Sequence, residues 1–398
     1  MSMKNKVAQL KTETEDTLKN NILPYWINNM VDAENGGFYG RITGEEIIRR
    51  EAPKGSVLNT RILWTYSAAY RIVKEEAYLK IAKRAKDYLI DYFYDDEHGG
   101  VYWLLDYKGN PIETKKQIYA LGFAIYGLSE YYRATNDKEA LEYAVKLFKT
   151  IERQSFDKES NGYLEAFTQD WQLIEDMRLS DKDANEQKTM NTHLHILEPY
   201  TNLYRVWKNE SLKKQLKNLI NLFLDKIIDQ QTHHLKLFFD TEWNSKSDMV
   251  SYGHDIEAAW LLHEAAMVLE DSEMLEKVST VVPHIVQAAA KGLQSDGSMI
   301  YETDTQTGHT DTERHWWVQS EAVIGFLNHY QYCHDEESLK RALDCWSFIK
   351  KNLIDWENGE WYWSVFEDGS VNIEEDKAGV WKCPYHNSRM CMEIIERF

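Results

Sequence analysis

Two kinds of apolar stretch alternate along the chain, and both have the spacing of α-helices. Stretches of the first kind are apolar on nearly every side, which is typical of buried helices; they begin near Ser56, Tyr119, Met190, Gly253, Trp316 and Tyr385. Stretches of the second kind have one apolar and one charged face, as from Ala77 or Glu210. This pattern is typical of surface helices. The sequence therefore predicts an inner and an outer layer of helices.

Short motifs of a turn followed by aromatic residues separate the helical pairs. They recur roughly 60 to 75 residues apart, a regular spacing that indicates a repeat architecture. Each predicts one short strand or half of a hairpin. The motifs are NGGFYG, HGGVYW, NGYLEAF, HLKLFFD, DGSMIYE and NGEWYWS, beginning at Asn35, His98, Asn161, His234, Asp296 and Asn358.

The number of repeats predicts a closed ring. Six buried helices alternate with five surface helices, and a helix before Trp26 supplies the sixth outer one. We therefore predict an all-α fold, an (α/α)6 barrel with short β-hairpins at one end, formed by a single domain over residues 1–398. An open α-solenoid is the alternative, but neither end of the chain has the polar capping repeat that a solenoid needs.

Composition restricts the partners. The chain has 46 basic and 65 acidic residues, a formal net charge of −19, whereas a nucleic-acid partner requires clustered Lys and Arg. No apolar run approaches the roughly 20 residues that cross a bilayer, and the N-terminus lacks the apolar core of a signal peptide. The four cysteines form no Cys-x-x-Cys pair and are expected as reduced thiols. We expect a cytoplasmic monomer that binds no nucleic acid and no membrane.

Polar residues at the starts of the predicted inner helices would meet at one mouth of the barrel. Neighbouring positions on a helix are three or four apart, and several of these residues have that spacing. They are Arg61, Tyr119, Asn191 with His195, His254 with Glu257, Trp316 and Trp317 with Glu321, and His386 with Arg389. A single histidine of this kind is more often a satisfied core residue. Such residues on all six inner helices indicate a site.

The sequence gives no sign of a metal or a nucleotide cofactor, and we predict none. A carboxylate-bridged metal site would need the His-x-x-Glu motif twice, but it occurs once in the predicted inner layer, at His254 and Glu257. His193 and His195 are two residues apart and would point in different directions on a helix. There is no P-loop and no Gly-rich turn in a βαβ unit.

The histidines favour proton transfer. Imidazoles titrate close to neutral pH, so two of them on opposite sides of a sugar could remove a proton from one face of carbon 2 and return one to the other. Arg61 and His195 could hold the enediolate oxygens, and Glu257 and Glu321 could orient the histidines. A glycoside hydrolase with Glu257 and Glu321 as its carboxylate pair and a non-catalytic glycan-binding module remain alternatives.

The chain resembles the N-acylglucosamine 2-epimerase superfamily over nearly its full length, and within it the cellobiose 2-epimerases. The motifs that carry the resemblance are DAENGGFYG from Asp32, LNTRILW from Leu58, KTMNTHLHILE from Lys188, SYGHDIEAAWLL from Ser251, WWVQSEAVIGF from Trp316 and WKCPYHNSRMCMEII from Trp381. SYGHDIE and WKCPYHN are its most specific parts.

The resemblance implies a cofactor-independent epimerase that acts on a disaccharide such as cellobiose or lactose. It implies that His254 and His386 are the acid/base pair, and that His195 and Arg61 stabilise an enediolate. Tyr119, Asn191, Glu257 and Glu321 would contact the reducing sugar, and the walls would be formed by Trp260, Trp316, Trp317 and Trp381. An N-acylglucosamine 2-epimerase and a mannose isomerase are alternatives on the same scaffold.

Overall fold

The computed structural model describes residues 3–398, and the helices of this part of the chain form two concentric layers. In chain order they are α1 (Met3–Thr17), α2 (Leu23–Asn29), α3 (Ser56–Val73), α4 (Glu76–Tyr88), α5 (Ile118–Thr135), α6 (Lys138–Gln154), α7 (Met190–Val206), α8 (Glu210–Leu222), α9 (Tyr252–Leu269), α10 (Ser272–Ala289), α11 (Trp316–Cys333), α12 (Glu336–Asn352) and α13 (His386–Arg397). A π-helical turn joins α1 to α2.

The inner layer is a closed ring. Each inner helix contacts the next in the order α3, α5, α7, α9, α11 and α13, and α13 returns to contact α3. Helices α4, α6, α8, α10 and α12 pack outside them, and α1 packs on α13. The fold is thus an (α/α)6 barrel, as predicted, and the closure of the ring rules out an open solenoid. No helix within residues 3–398 combines the length and apolarity needed to cross a membrane.

Two-residue links join most inner helices to the outer helices that follow. The first residue of the link is in the left-handed conformation; examples are Asn136 (φ 61°) and His334 (φ 55°). The second is often an aspartate that caps the outer helix, as Asp137 and Asp335 do by accepting backbone N–H groups of the first turn. This link reverses the chain direction at once, so each pair of helices is antiparallel.

Twelve short strands within the described residues lie where the inner helices begin. They are β1 (Lys54–Gly55), β2 (Leu104–Leu105), β3 (Pro111–Glu113), β4 (Lys116–Gln117), β5 (Ala166–Phe167), β6 (Lys188–Thr189), β7 (Phe238–Phe239), β8 (Met249–Ser251), β9 (Glu302–Asp304), β10 (Thr310–Asp311), β11 (Arg314–His315) and β12 (Ser364–Val365). The strand before α3, α5, α7, α9 and α11 pairs with the strand after the next outer helix. The strands therefore connect neighbouring repeats at one end of the barrel.

A buried ion pair explains the recurring turn motifs. Oδ1 of an aspartate such as Asp95 accepts backbone N–H groups two and three residues later. Its Oδ2 accepts from Lys116, 2.7 Å away, and both side chains are fully buried. Lys54 with Asp32 and Lys188 with Asp157 repeat the arrangement. Each pair holds the turn after one outer helix to the strand before the next inner helix.

Close packing of α5 against α7 fixes the backbone at His195. Pro199 has no N–H to donate to the His195 carbonyl four residues earlier. Gly122 of α5 lies against that carbonyl so closely that a Cβ there would come within 2.3 Å of the oxygen. Glycine is therefore required at position 122 for this approach. The four cysteines, Cys333, Cys345, Cys383 and Cys391, are all free, as predicted.

Candidate active site

The predicted site residues converge at the mouth formed by the strands. Hydrogen bonds and ring contacts link most of them in one continuous network, which runs from Arg61 through the imidazoles to His254. The residues that the sequence singled out on six different inner helices are thus neighbours in space. Asn191 is the exception: it lies half-buried at the start of α7, and its Oδ1 has no hydrogen-bond partner.

His386 has a carboxylate partner. Its Nδ1 lies 2.7 Å from Oε1 of Glu321, so Nδ1 carries the proton and Nε2 keeps its lone pair. Burial, followed by the positive charges of Arg61 and Arg389, holds the imidazole pKa well below its usual range. A neutral His386 can therefore accept a proton at Nε2 at neutral pH.

His254 has a hydroxyl partner instead. Its Nδ1 lies 2.8 Å from Oγ of Ser251, and burial lowers its pKa to about 3. The half-buried indole of Trp317 contacts both imidazoles, with ring-centroid distances of 4.7 Å to His254 and 5.6 Å to His386. The site thus has two neutral imidazoles beside one aromatic side chain.

His195 is held by Glu198, a residue that the sequence analysis did not single out. Nδ1 of His195 lies 3.1 Å from Oε2 of Glu198. The other oxygen of Glu198 accepts from Tyr385 and Arg389. Burial alone would raise the pKa of Glu198, but Arg389 and His195 lower it to about 2. The i, i+3 spacing of His195 and Glu198 was the signal in the sequence that would have found it.

Arg389 lies beneath the imidazoles. Its guanidinium is fully buried and donates to Glu198, and to Glu257 and Glu321 at 2.6 Å each. Burial and the neighbouring Glu321 charge raise the pKa of Glu257. Arg389 was predicted among the residues at the mouth; it lies deeper instead, where its guanidinium binds three carboxyl groups.

Trp260 also differs from the expected position. The indole is buried, donates its Nε1–H to Glu321 at 2.9 Å and lies against the Arg389 guanidinium at 4.8 Å from its ring centroid. Glu321 therefore occupies the polar edge of the Trp260 indole, and Arg389 covers one of its faces. The aromatic walls nearer the mouth are Trp317 and Trp381, both half-buried. Trp316 is buried against Trp363, at 4.8 Å.

Arg61 is placed by aromatic rings, one hydroxyl and the Cys383 thiol, to which Nη1 donates at 3.4 Å. Its Nη2 donates to the Tyr119 hydroxyl at 2.7 Å, and its guanidinium packs on Phe123 and Tyr385. Its Nε has no partner. Tyr119 in turn lies 5.0 Å from His195 and 5.9 Å from Trp381, measured between ring centroids. This leaves Arg61 with a spare donor beside His195 for an anionic oxygen.

His193 has a structural role. Its Nδ1 lies 2.6 Å from the Thr189 carbonyl, and its Nε2 accepts the backbone N–H of Tyr163 at 2.9 Å. Both ring nitrogens are therefore used, and neither is available to a substrate. His193 and His195 point to different partners, as their spacing predicted.

Within residues 3–398, one group of side chains has donor atoms close enough for a cation. Oxygen and nitrogen atoms of Glu257, Glu321 and His386 lie within 4.8 Å of one another. However, Oε1 of each glutamate already accepts from Arg389. The guanidinium thus holds the position between the two carboxylates that a metal ion would need.

A cavity of about 590 Å³ lies at the other end of the barrel. Its lining comes mainly from the last turns of the inner helices, where Arg71 pairs with Glu130 and Arg205 with Glu264. Arginines are favourable at helix C-termini because they neutralise the helix dipole. These paired charges therefore close the base of the barrel, opposite the histidine cluster.

Comparison with known proteins places this site in a family. The sequence model of N-acylglucosamine 2-epimerase (GlcNAc 2-epimerase) matches residues 37–389. The chain is 61% identical over 386 residues to the cellobiose 2-epimerase of Bacteroides fragilis, covering 97% of this chain and 98% of that protein. It is 42% identical to the cellobiose 2-epimerase of Ruminococcus albus, with coverage of 97% and 98%.

A solved structure agrees with the sequence comparison. The cellobiose 2-epimerase of Bacillus thermoamylovorans B4167 superimposes with a TM-score of 0.94 at 44% identity, over 98% of this chain and 100% of that one. Similarity of this extent covers the barrel and every element that supplies the histidine cluster. The protein is a carbohydrate epimerase, and the chain belongs to the N-acylglucosamine 2-epimerase family.

Proposed function

We propose that this enzyme inverts carbon 2 of the reducing-end glucose of a β-1,4-linked disaccharide, with cellobiose as substrate and lactose as a second one. The observation that carries the proposal is the pair of neutral imidazoles, His254 and His386, which both contact Trp317. The names of the relatives in Bacteroides fragilis and Ruminococcus albus support the choice of cellobiose.

In the proposed mechanism, the sugar ring opens first, because only the open-chain aldehyde makes the C2–H bond acidic. Nε2 of one imidazole then removes the C2 proton, and the electron pair moves into the C1–C2 bond to give a cis-enediolate. Arg61 and His195 stabilise the negative oxygens, as preorganised donors do in a buried site.

Inversion requires the proton to return on the other face. Rotation about the C2–C3 bond turns the enediolate. The first imidazole passes the C2 proton to solvent, and the second imidazole, which takes up a solvent proton at Nε2, donates that proton to C2. The electron pair of the C1–C2 double bond forms the new C–H bond, and the aldehyde is restored. Each histidine is a base in one direction and an acid in the other, so neither a cofactor nor a metal enters the mechanism.

The half-buried residues at the mouth are proposed to bind the sugars. Asn191 has an unsatisfied Oδ1, which suits a sugar hydroxyl. Trp317 and Trp381 can pack against the C–H faces of the rings. Glu257 and Glu321 lie deeper in the barrel. They act on the sugar indirectly, by holding His386 and Arg389 in place.

The test is incubation of the purified, chelator-treated protein with cellobiose in deuterium oxide, followed by proton NMR. A mannose-type reducing end with deuterium at carbon 2 is expected. Complete retention of the original hydrogen would contradict two-base exchange, a ketose product would indicate an isomerase, and free glucose a hydrolase. An unchanged disaccharide would lead to tests of N-acetylmannosamine and mannose.

Two variants separate catalysis from binding. His254→Ala and His386→Ala are each expected to abolish measurable epimerisation, since general acid–base catalysis contributes about 10²–10⁴-fold. Both should still bind cellobiose in calorimetry. A non-catalytic glycan-binding protein would show binding in all three forms and no turnover in any.

A further inference from the structure

The hydroxyl of Ser251 does not cap the helix that it precedes. Ser251 stands at the N-cap position of α9, where serine usually accepts a backbone N–H of the first turn. It makes no such bond; its Oγ lies 2.8 Å from Nδ1 of His254. At the same position of α7, Thr189 does cap, accepting the Thr192 N–H at 3.0 Å. The Ser251 side chain is thus used for the imidazole.

The strand register places a carboxylate on the far side of this hydroxyl. Glu302 of β9 lies directly opposite Ser251 of β8 in the antiparallel pair, so the two side chains extend from the same face, and the Ser251 hydroxyl lowers the pKa of the Glu302 carboxyl. The other titratable groups that face Glu302 are Tyr301, Asp311 and Asp183, so no cation among them neutralises it. Burial, and then Asp311 and Asp183, raise its pKa to about 7. The serine hydroxyl is therefore an important donor to the ionised carboxylate.

We propose that Glu302 is a positioning residue for His254 and acts through Ser251. The Ser251 O–H donates to the Glu302 carboxylate, and Oγ accepts from Nδ1–H of His254. This direction of hydrogen bonding fixes the tautomer in which Nε2 of His254 keeps its lone pair. The inference rests on the proposed function, in which that lone pair exchanges the C2 proton.

The reverse direction is unfavourable. A Ser251 hydroxyl that donated to Nδ1 would take this donor away from the half-buried Glu302 carboxylate, and loss of a donor to a charged acceptor is unfavourable. Such an arrangement would also place the single imidazole proton on Nε2, where His254 could not act as a base. Glu321 fixes the tautomer of His386 by direct contact; Glu302 does so for His254 through one hydroxyl.

The first test reads the tautomer and needs no substrate. In nitrogen-15 spectra at pH 8, where Glu302 is mainly ionised, wild-type His254 is expected as the Nδ1–H tautomer; its signals are those lost in His254→Gln. Glu302→Met removes the acceptor and should raise the population of the Nε2–H form. Glu302→Gln keeps an acceptor oxygen and should give an intermediate population. The Nδ1–H form unchanged in Glu302→Met would overturn the proposal.

The second test reads catalysis. Glu302→Met is expected to lower kcat for cellobiose roughly 10- to 100-fold, with KM changed little, because general-base competence is impaired rather than removed. The double variant Ser251→Ala with Glu302→Met should be no slower than Ser251→Ala alone. If the reductions in kcat of the two single variants multiply in the double variant, Glu302 does not act through Ser251.

Glu313→Met is the matched control. Glu313 also accepts a serine hydroxyl, that of Ser364 at 2.7 Å, but contacts neither Ser251 nor His254, so the kcat and the His254 tautomer of this variant should match the wild type. Absence of turnover of cellobiose by the wild type would count against the proposed function alone, since the tautomer spectra still decide the role of Glu302.

Discussion

Oε1 of Glu321 accepts hydrogen bonds from both His386 and Arg389, at 2.7 Å and 2.6 Å. One carboxylate oxygen thus orients a proposed acid/base imidazole and, at the same time, receives the cation that makes a buried carboxylate tolerable. Loss of this carboxylate would affect the chemistry of His386 and the packing beneath it.

Glu321→Gln is expected to reduce kcat for epimerisation by about 10²-fold, because a neutral amide stabilises the His386 imidazolium less than a carboxylate does. The measurement is deuterium incorporation at carbon 2 over time. Glu152→Gln is the control: Glu152 is a half-buried carboxylate that accepts from the hydroxyls of Tyr163 and Tyr200. It should keep the wild-type rate. Equal rates in the two variants would remove Glu321 from the mechanism.

Substitution of the two histidines of α7 should have different effects: on activity for His195 and on stability for His193. His195→Asn is expected to lower kcat about 10²–10³-fold, the usual cost of losing an oxyanion donor, with little change in stability. His193→Leu should leave kcat within a few-fold but lower the free energy of unfolding by about 1–3 kcal/mol, since the Tyr163 N–H loses its acceptor. Urea unfolding and rate assays on both variants test these two expectations. A large rate loss in His193→Leu alone would show that His193, and not His195, has the catalytic role.

The imidazoles of His254 and His386 should remain neutral even at pH values below the usual histidine pKa. Both pKa values are lowered, that of His254 to about 3, so neither should protonate in a proton NMR titration from pH 8 to pH 5. An unfolded histidine titrates near 6.5. The unfolded state therefore binds more protons below that pH, and the free energy of unfolding should fall as pH drops from about 6.5 towards the folded values. A midpoint near 6.5 for either imidazole would contradict this.

The buried Lys116–Asp95 pair should matter far more to stability than an exposed pair. Lys116→Met leaves the Asp95 carboxylate buried without its cation, which is expected to cost about 3–5 kcal/mol. The control is Lys83→Met, at an exposed pair with Asp87 (61% and 38% side-chain exposure); its cost should stay within about 0.5 kcal/mol. Guanidinium unfolding of both variants measures the difference, and similar midpoints would mean that the turn motif does not depend on the ion pair.

The sequence by itself determined the two layers of helices, the closure of the ring and the end of the barrel at which polar residues gather. These features follow from local rules. A helix that is apolar on all sides must be buried, and antiparallel neighbours bring the starts of all inner helices to the same end. For that reason the sequence alone predicts that Arg61, His195, His254 and His386 are neighbours.

Only the tertiary structure decided the hydrogen-bond partners. Arg389 joins Glu257 and Glu198 across 132 and 191 residues of sequence, and Ser251 meets Glu302 through a strand register that no periodicity specifies. Trp260 and Arg389 have the same helical spacing as residues at a sugar site, yet both lie beneath the imidazoles. Periodicity gives the face of a helix on which a residue lies. Its depth and its partner depend on how all six inner helices pack together, because buried charges and donors must satisfy one another across the ring.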